Sequence, residues 1–304
     1  MNQAPTSQQE SLYPIRTVSE LTGVNSITLR AWERRYGIFE PVRTPSGHRM
    51  YTQEHIDLIT RIVSQLERGM RIGQVKEHLA QSPASAGDAD VIDIWNQYLQ
   101  SMIAAIIRFD ESSLEKTYGE ALAVYPINLV TEKLLMPLLD ELGERWEKGE
   151  GSVAEEHFFG FYLRNKLGAR FHHRVISQNG PKLLLACLPG DIHETGLLLF
   201  ALAASEAGYQ TIMLGSNMPL EDLPETARKT GCSAIVLSGL VDPRSKTLKH
   251  GLPELSKSVD VPVYLGGRAS ARTHDALKRI NIHSLGTDLK AGLARITAAV
   301  PLSS

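Results

Sequence analysis

Apolar residues along the chain follow three patterns, which change near residues 80 and 180. In the first, short apolar clusters are punctuated by glycine and proline. Val18-Ser19-Glu20-Leu21-Thr22-Gly23-Val24 predicts a short helix closed by a glycine turn. Asn25 and Ser26 are good N-cap residues for a second helix from Ile27 to Tyr36, which Gly37 stops. Together these make a helix-turn-helix. Pro41 to Tyr51 predicts a β-hairpin wing turning at Ser46-Gly47, and helices are expected over Gln53 to Glu67 and Ile72 to Leu79. Ala80 to Asp88 has linker composition. From Val91 to about Ile176 apolar residues recur at three- and four-residue spacing, as in Leu129, Leu134, Leu135, Leu138, Leu139 and Leu142, the mark of packed helices. Beyond Pro181 short apolar runs at 182–188, 210–214, 233–238, 261–265 and 282–285 alternate with amphipathic helices, which predicts a doubly wound parallel sheet.

The expected fold class is therefore multidomain, α followed by α/β. A flexible lead covers 1–13, a winged helix-turn-helix 14–80, a linker 81–90, a four-helix bundle 91–178 and a Rossmann-like sheet domain 179–304.

Length and charge narrow the picture further. The 304 residues leave room for two or three domains, and 42% hydrophobic with 22% charged residues is an ordinary globular composition. A net charge of −2 excludes a globally basic nucleic-acid binder, so a DNA-binding surface must be local. Residues 27–51 supply one, with five arginines against two glutamates. Cys187 and Cys232 sit in apolar surroundings outside any Cys-x-x-Cys motif and read as buried small residues, not as a disulfide framework. Met1 to Ser11 is polar, with no apolar core of a secretory signal, and no apolar stretch reaches membrane-spanning length. The expected location is the cytoplasm, with no membrane partner.

The segment carrying most chemistry is Asp191-Ile192-His193-Glu194-Thr195-Gly196, a turn between an apolar run and a Leu/Ala-rich helix. Such turns lie where open parallel sheets bind ligands. The His193 imidazole can ligate a metal, and Asp191 is close enough in sequence to fix its tautomer. Ser238-Gly239-Leu240 and Gly266-Gly267 follow two later strands, so all three elements sit at carboxyl ends; the glycines also suit tight turns for plain backbone reasons.

These residues resemble the Asp-x-His-x-x-Gly, Ser-x-Leu and Gly-Gly signature of cobalamin-binding domains. The resemblance implies that His193 gives the lower axial nitrogen to cobalt and that Asp191 orients it. It also implies that Gly196, Ser238, Leu240, Gly266 and Gly267 line the groove for the cofactor's tail. Upstream, Trp146, Glu156 and His157 keep a Trp-x9-Glu-His arrangement similar to the helical cap of cobalamin-dependent light-sensing regulators, which would place them around the upper axial group. One departure is Glu147. In the best-known photoreceptors of the group that position is a histidine able to ligate cobalt after photolysis, and a carboxylate is a poorer ligand for cobalt(III). His157, His172 or His173 would substitute only if the fold brings them near.

At the other end, Thr28-Leu29-Arg30-Ala31-Trp32-Glu33-Arg34-Arg35-Tyr36-Gly37 and Gly47-His48-Arg49-Met50-Tyr51 resemble the winged helix-turn-helix of MerR-type regulators. By that resemblance Thr28 and Arg30 reach base edges, with Arg34 and Arg35 on the same basic helix. Trp32, Arg43, His48, Arg49 and Tyr51 grip backbone or brace the wing, though Trp32 reads equally well as core. The cysteine-bearing dimerisation helix of metal-sensing members is missing, so a soft metal ion is not the expected effector.

Taken in order, the chain is similar to the CarH/LitR group of light-responsive repressors. What this implies is a non-enzymatic cobalamin-binding transcription regulator, in which cofactor bridging cap and sheet controls oligomerisation and so DNA affinity. Adenosylcobalamin is the expected cofactor and methylcobalamin the alternative. The expected partners are double-stranded operator DNA and further copies of the chain, as dimer or tetramer. Two other classes stay open: a cofactor-free repressor governed by a protein anti-repressor, and a corrinoid carrier of a methyltransferase, which has no use for the Arg-rich wing.

Overall fold

A computed structural model describes residues 11–68, 70, 72–75, 89–173 and 179–302. Residues 81–88 of the expected linker and 76–79 of the expected helix from Ile72 to Leu79 lie outside the described residues, as do the side chains of His172 and His173, while Ala89 and Asp90, expected in the linker, open a helix. The chain divides into two compact units, Met1–Glu156 and His157–Ser304.

In the first unit, β1 (Tyr13–Pro14) leads into α1 (Ile15–Thr22), which ends on Gly23 in the left-handed conformation at φ 69°. α2 (Ser26–Ala31) starts where expected because the Asn25 side chain accepts from the Ile27 and Thr28 amides, at 3.0 and 2.8 Å. It widens into a π-helical turn over Trp32–Tyr36, and Gly37 at φ 55° stops it. The wing is β2 (Val42–Arg43) against β3 (Arg49–Tyr51). β3 also pairs antiparallel with β1, so part of the expected flexible lead is a third strand of the wing sheet. α3 (Gln53–Glu67) opens with a reciprocal capping box between Thr52 and His55. The helices α4 (Ala89–Ile107), α5 (Glu111–Val124), α6 (Ile127–Val130, continuing as a π turn to Leu135) and α7 (Met136–Glu147) follow, with α8 (Val153–His173) beginning in this unit. Their apolar spacing buries Leu129, Leu134, Leu135, Leu138 and Leu142.

The second unit is a five-stranded parallel sheet of β4 (Lys182–Cys187), β5 (Gln210–Gly215), β6 (Ala234–Ser238), β7 (Val263–Gly266) and β8 (His283–Gly286), in the order β5-β4-β6-β7-β8. α9 (Thr195–Glu206), α10 (Leu223–Thr230), α11 (Leu252–Ser258) and α14 (Leu289–Ala299) are the longer helices between and after the strands, with the short α12 (Arg268–Arg272) and α13 (His274–Arg279) after β7. β4 is buried on both faces, which is why it reads as an unbroken apolar run. Leu183, Leu185 and Cys187 join the core beneath α9, while Leu184, Ala186 and Leu188 join the opposite core with Leu223 and Leu252. The order places a topological switch point between β4 and β6, the position at which open α/β sheets bind ligands beyond their carboxyl ends. Among the described residues no helix is long and apolar enough to cross a membrane.

Candidate functional site

The loops leaving β4 and β6 meet at that switch point, and Asp191 joins them. Its carboxylate is buried, with 1% of the residue exposed. Oδ1 accepts from the His193 backbone amide at 2.9 Å and from His193 Nδ1 at 2.8 Å. Oδ2 accepts from the Leu240 amide at 2.5 Å and the Val241 amide at 3.4 Å. Burial pushes the Asp191 carboxyl up, but the hydrogen bonds from His193 and Leu240 outweigh it and hold the group below the ordinary carboxylate range, so it is an anion. An anion at Nδ1 selects the tautomer that carries its proton there, leaving the ring's lone pair on Nε2. His193 thus has the geometry of an oriented nitrogen ligand, and its side chain keeps 29% of its surface exposed.

The rest of the loop is equally fastened. Leu188 donates to the Ser238 carbonyl at 2.9 Å, and Asp191 donates to Leu188 at 3.0 Å. From the β5 side, Asn217 donates its amide to the Asp191 carbonyl at 2.8 Å, and its Oδ1 accepts from the Gly190 amide at 2.7 Å. Glu194 forms an ion pair with Arg164 of α8 at 2.7 Å. Cys187 beneath the loop is inert: burial, reinforced by Asp191 and Glu194, pushes its thiol up to about 12.

Around this polar centre runs an apolar lip. Ile192 (56% exposed), Val241 (47%) and Leu240 (36%) are among the few large hydrophobic side chains left open to solvent, and all three belong to the two joined loops. The glycines divide into two kinds. A Cβ on Gly267, at φ 86°, would lie 2.5 Å from the Gly239 carbonyl oxygen, and one on Gly239 would lie 2.8 Å from Leu188 and 2.9 Å from Ala269, so the backbone there is packed on itself. A Cβ on Gly196 would meet no heavy atom within 4 Å. No protein contact therefore requires glycine at 196, whereas a ligand seated against the start of α9 would. Gly266 is intermediate, with neighbours only at ordinary contact distance. Of the expected tail-lining residues, Ser238 and Gly266 end the adjacent strands β6 and β7, and Leu240 and Gly267 follow just after them. An oriented imidazole, an apolar rim and open space beside it together fit a large, mostly apolar macrocycle whose metal takes one nitrogen from the protein.

In the first unit Trp146 is 54% exposed in the last turn of α7, so it is not a core aromatic of the bundle. Glu156 is half-buried, and in the second unit His157 is exposed.

The basic face is built around a residue that pattern reading missed. Glu33 points into the groove between α2 and the wing, where its carboxylate meets Arg49 Nε at 2.7 Å and Arg43 at 3.7 Å. Arg30, Arg34 and Phe39 line the same groove. Hydrogen bonding to Glu33 raises the Arg49 guanidinium and holds it in place. Arg30, Arg34, Arg35, Arg43 and His48 are exposed, as a DNA-binding surface requires. Tyr51 is fully buried, packing edge-on against Phe39 and His55 at ring distances of 6.0 and 6.1 Å, and so braces the wing from within.

Thr28 needs correction, and for Trp32 the core reading is the one the structure supports. Both are fully buried and face α5, not the groove. Thr28 Oγ1 donates to the Leu122 carbonyl at 3.3 Å and Trp32 Nε1 to the Val124 carbonyl at 2.8 Å. These carbonyls belong to the last turn of α5, where a helix has no internal donors left to satisfy them. Trp32 is core, and Thr28 is in no position to meet a base in this arrangement. Nothing in a six-residue helix reveals which of its faces another helix will take.

Comparison with known proteins agrees with this layout. A MerR helix-turn-helix regulatory-protein model matches residues 13–82, and two B12-binding-domain models match 98–170 and 181–287. The chain is 32% identical to the HTH-type transcriptional repressor CarH of Myxococcus xanthus over 90% of its own length and 95% of that protein's. It is 27% identical to the repressor CarA of the same organism over 86% and 88%. Among solved structures, the monomethylamine corrinoid protein of Methanosarcina barkeri covers 67% of this chain and 99% of its own, with a TM-score of 0.55 and 19% identity, a likeness of fold.

Proposed function

The chain belongs to the family of MerR-type transcriptional repressors with B12-binding domains that CarH represents, and from that premise we propose that it represses transcription from an operator it grips with the 14–80 domain, under the control of cobalamin bound at His193. It is a regulator, not an enzyme. The observation that carries the cofactor reading is Asp191, a buried anion that bonds the His193 ring with one oxygen and the Leu240 loop with the other across the sheet's switch point.

Cobalamin, when bound, supplies a cobalt centre with a labile upper cobalt–carbon bond. The chain's own part is to present Nε2 of His193, to keep the ring turned by the Asp191 hydrogen bond, and to shield the site with Ile192, Leu240 and Val241. Ser238, Gly266 and Gly267 are proposed to admit the nucleotide tail at the ends of β6 and β7. Trp146, Glu156 and His157 are proposed, by family likeness, to face the upper axial group in the cap assigned to 91–178. The exposure of Trp146 supports that role. Adenosylcobalamin is the form proposed. Light is proposed as the signal and oligomer size as its output, through a ligand that prefers the assembled state. Operator DNA in the cytoplasm, further copies of the chain and no membrane complete the reading.

The test is to load the protein with adenosylcobalamin in darkness, then record its visible spectrum and size-exclusion profile before and after green light. Bound cofactor whose spectrum and oligomer size change together is the expected result. Bound cofactor with no change in size would reduce the proposal to a sensor of cofactor supply. No bound cofactor would sink it in favour of a repressor governed by a partner protein.

A further inference from the structure

We propose that Asn217 is a positioning residue that sets the reach of His193 toward its metal, a role that rests on the reading of His193 as ligand. The loop from Leu188 to Glu194 has no repeating secondary structure and turns through Gly190 at φ 85°. On the β6 side it is held by the bonds from Leu240 and Val241 to the Asp191 carboxylate. On the β5 side the Gly190 amide and the carbonyl of the same Asp191 are both taken by Asn217.

Asn217 is suited to both contacts for one reason. It stands just after β5 in the left-handed conformation at φ 50°, a region asparagine enters far more readily than most non-glycine residues. That conformation aims the amide at Asp191 while the short side chain returns its oxygen to Gly190. Glycine would keep the backbone and lose the acceptor. Alanine would lose the acceptor and strain the backbone. Aspartate keeps both. Because β5 and β6 flank β4 on opposite sides, the two sets of bonds clamp the ligand loop from both directions along the sheet. A nitrogen ligand must be held within a fraction of an ångström to bond well, and outer contacts of this sort govern how tightly a metal is held.

The experiment compares wild type, Asn217→Gly and Asn217→Asp as full-length protein with three readouts. These are hydroxocobalamin affinity by spectral titration, the His193 ring nitrogens of the cofactor-free protein by 15N NMR, and thermal melting. Asn217→Gly is expected to weaken hydroxocobalamin binding by about tenfold, to replace a single Nδ1–H tautomer with a mixture, and to melt close to wild type because the one contact it loses, from the Gly190 amide to Asn217 Oδ1, is solvent-exposed. Asn217→Asp is expected to keep wild-type affinity and tautomer. Equal affinity and tautomer in all three proteins would overturn the assignment. So would a glycine variant that melts lower while its folded fraction binds like wild type. A wild type that binds no hydroxocobalamin would instead overturn the reading of His193 as ligand, which separates the two failures.

Discussion

Two glycines near the ligand loop do opposite jobs, and substitution separates them. Gly267 holds φ 86° and ψ −178°, a region reserved for glycine, with its missing Cβ aimed at the Gly239 carbonyl. Gly267→Ala is expected to cost about 1–3 kcal/mol for the backbone alone, with the clash added, and to lower the urea midpoint of the unligated protein. Gly196 sits in the first turn of α9 with open space around it. Gly196→Ala is expected to raise stability by about 0.5–1 kcal/mol, as in any helix, and to weaken cobalamin binding. A variant more stable and equally good at binding would show that the space is not the cofactor's. At this scale the sequence made the Asp191–His193 pair legible and its support only partly so. Asp191 and His193 are two residues apart, and their bond is close to a local property. Asn217 and Glu33 act through backbone conformation and through partners distant in sequence, and neither leaves a trace in spacing or composition.

Among the elements, the strands were legible to within about two residues because each core strand is an apolar run bounded by turns, and α2 because Asn25 and Gly37 mark its ends. β1 was not, since Tyr13–Pro14 is too short for any period to show and exists only by pairing with β3. The face of α2 was also hidden, because it is set by a long-range contact: Thr28 and Trp32 supply the donors that the last turn of α5 lacks. A base contact through Thr28 would require α2 to leave α5, whereas Arg30 and Arg34 already line the open groove with Arg43 and Arg49. Trp32→Phe keeps an aromatic ring but removes the indole's second ring with its N–H donor, leaving the Val124 carbonyl without that donor and a small void beside it. The expected cost is about 1–3 kcal/mol, the usual penalty for a buried group deprived of its hydrogen bond. Urea denaturation should show it as a lower midpoint with an unchanged slope. No loss of stability would mean that water replaces the indole.

At the scale of the whole molecule, the proposed ligand residue and the basic face belong to different compact units, His193 in 157–304 and the arginines in 1–156. A regulator so divided works by coupling: cofactor changes operator affinity only to the extent that it binds the DNA-competent and incompetent populations unequally. Substitution at His193 should therefore remove the response and spare the contact. In the dark, the ratio of operator affinities with and without adenosylcobalamin should fall to one in His193→Ala, while the affinity of the unligated protein stays at the wild-type value, because Arg30, Arg43 and Arg49 are untouched. Arg49→Ala should do the reverse: it lowers affinity for all sequences alike, reduces its dependence on salt and leaves the cofactor ratio intact. Fluorescence anisotropy with operator DNA at two salt concentrations reads both quantities. If His193→Ala kept a ratio different from one, cobalamin would be acting without the proposed lower ligand, and control would have to lie with other residues, Trp146, Glu156 and His157 being those proposed for the upper face.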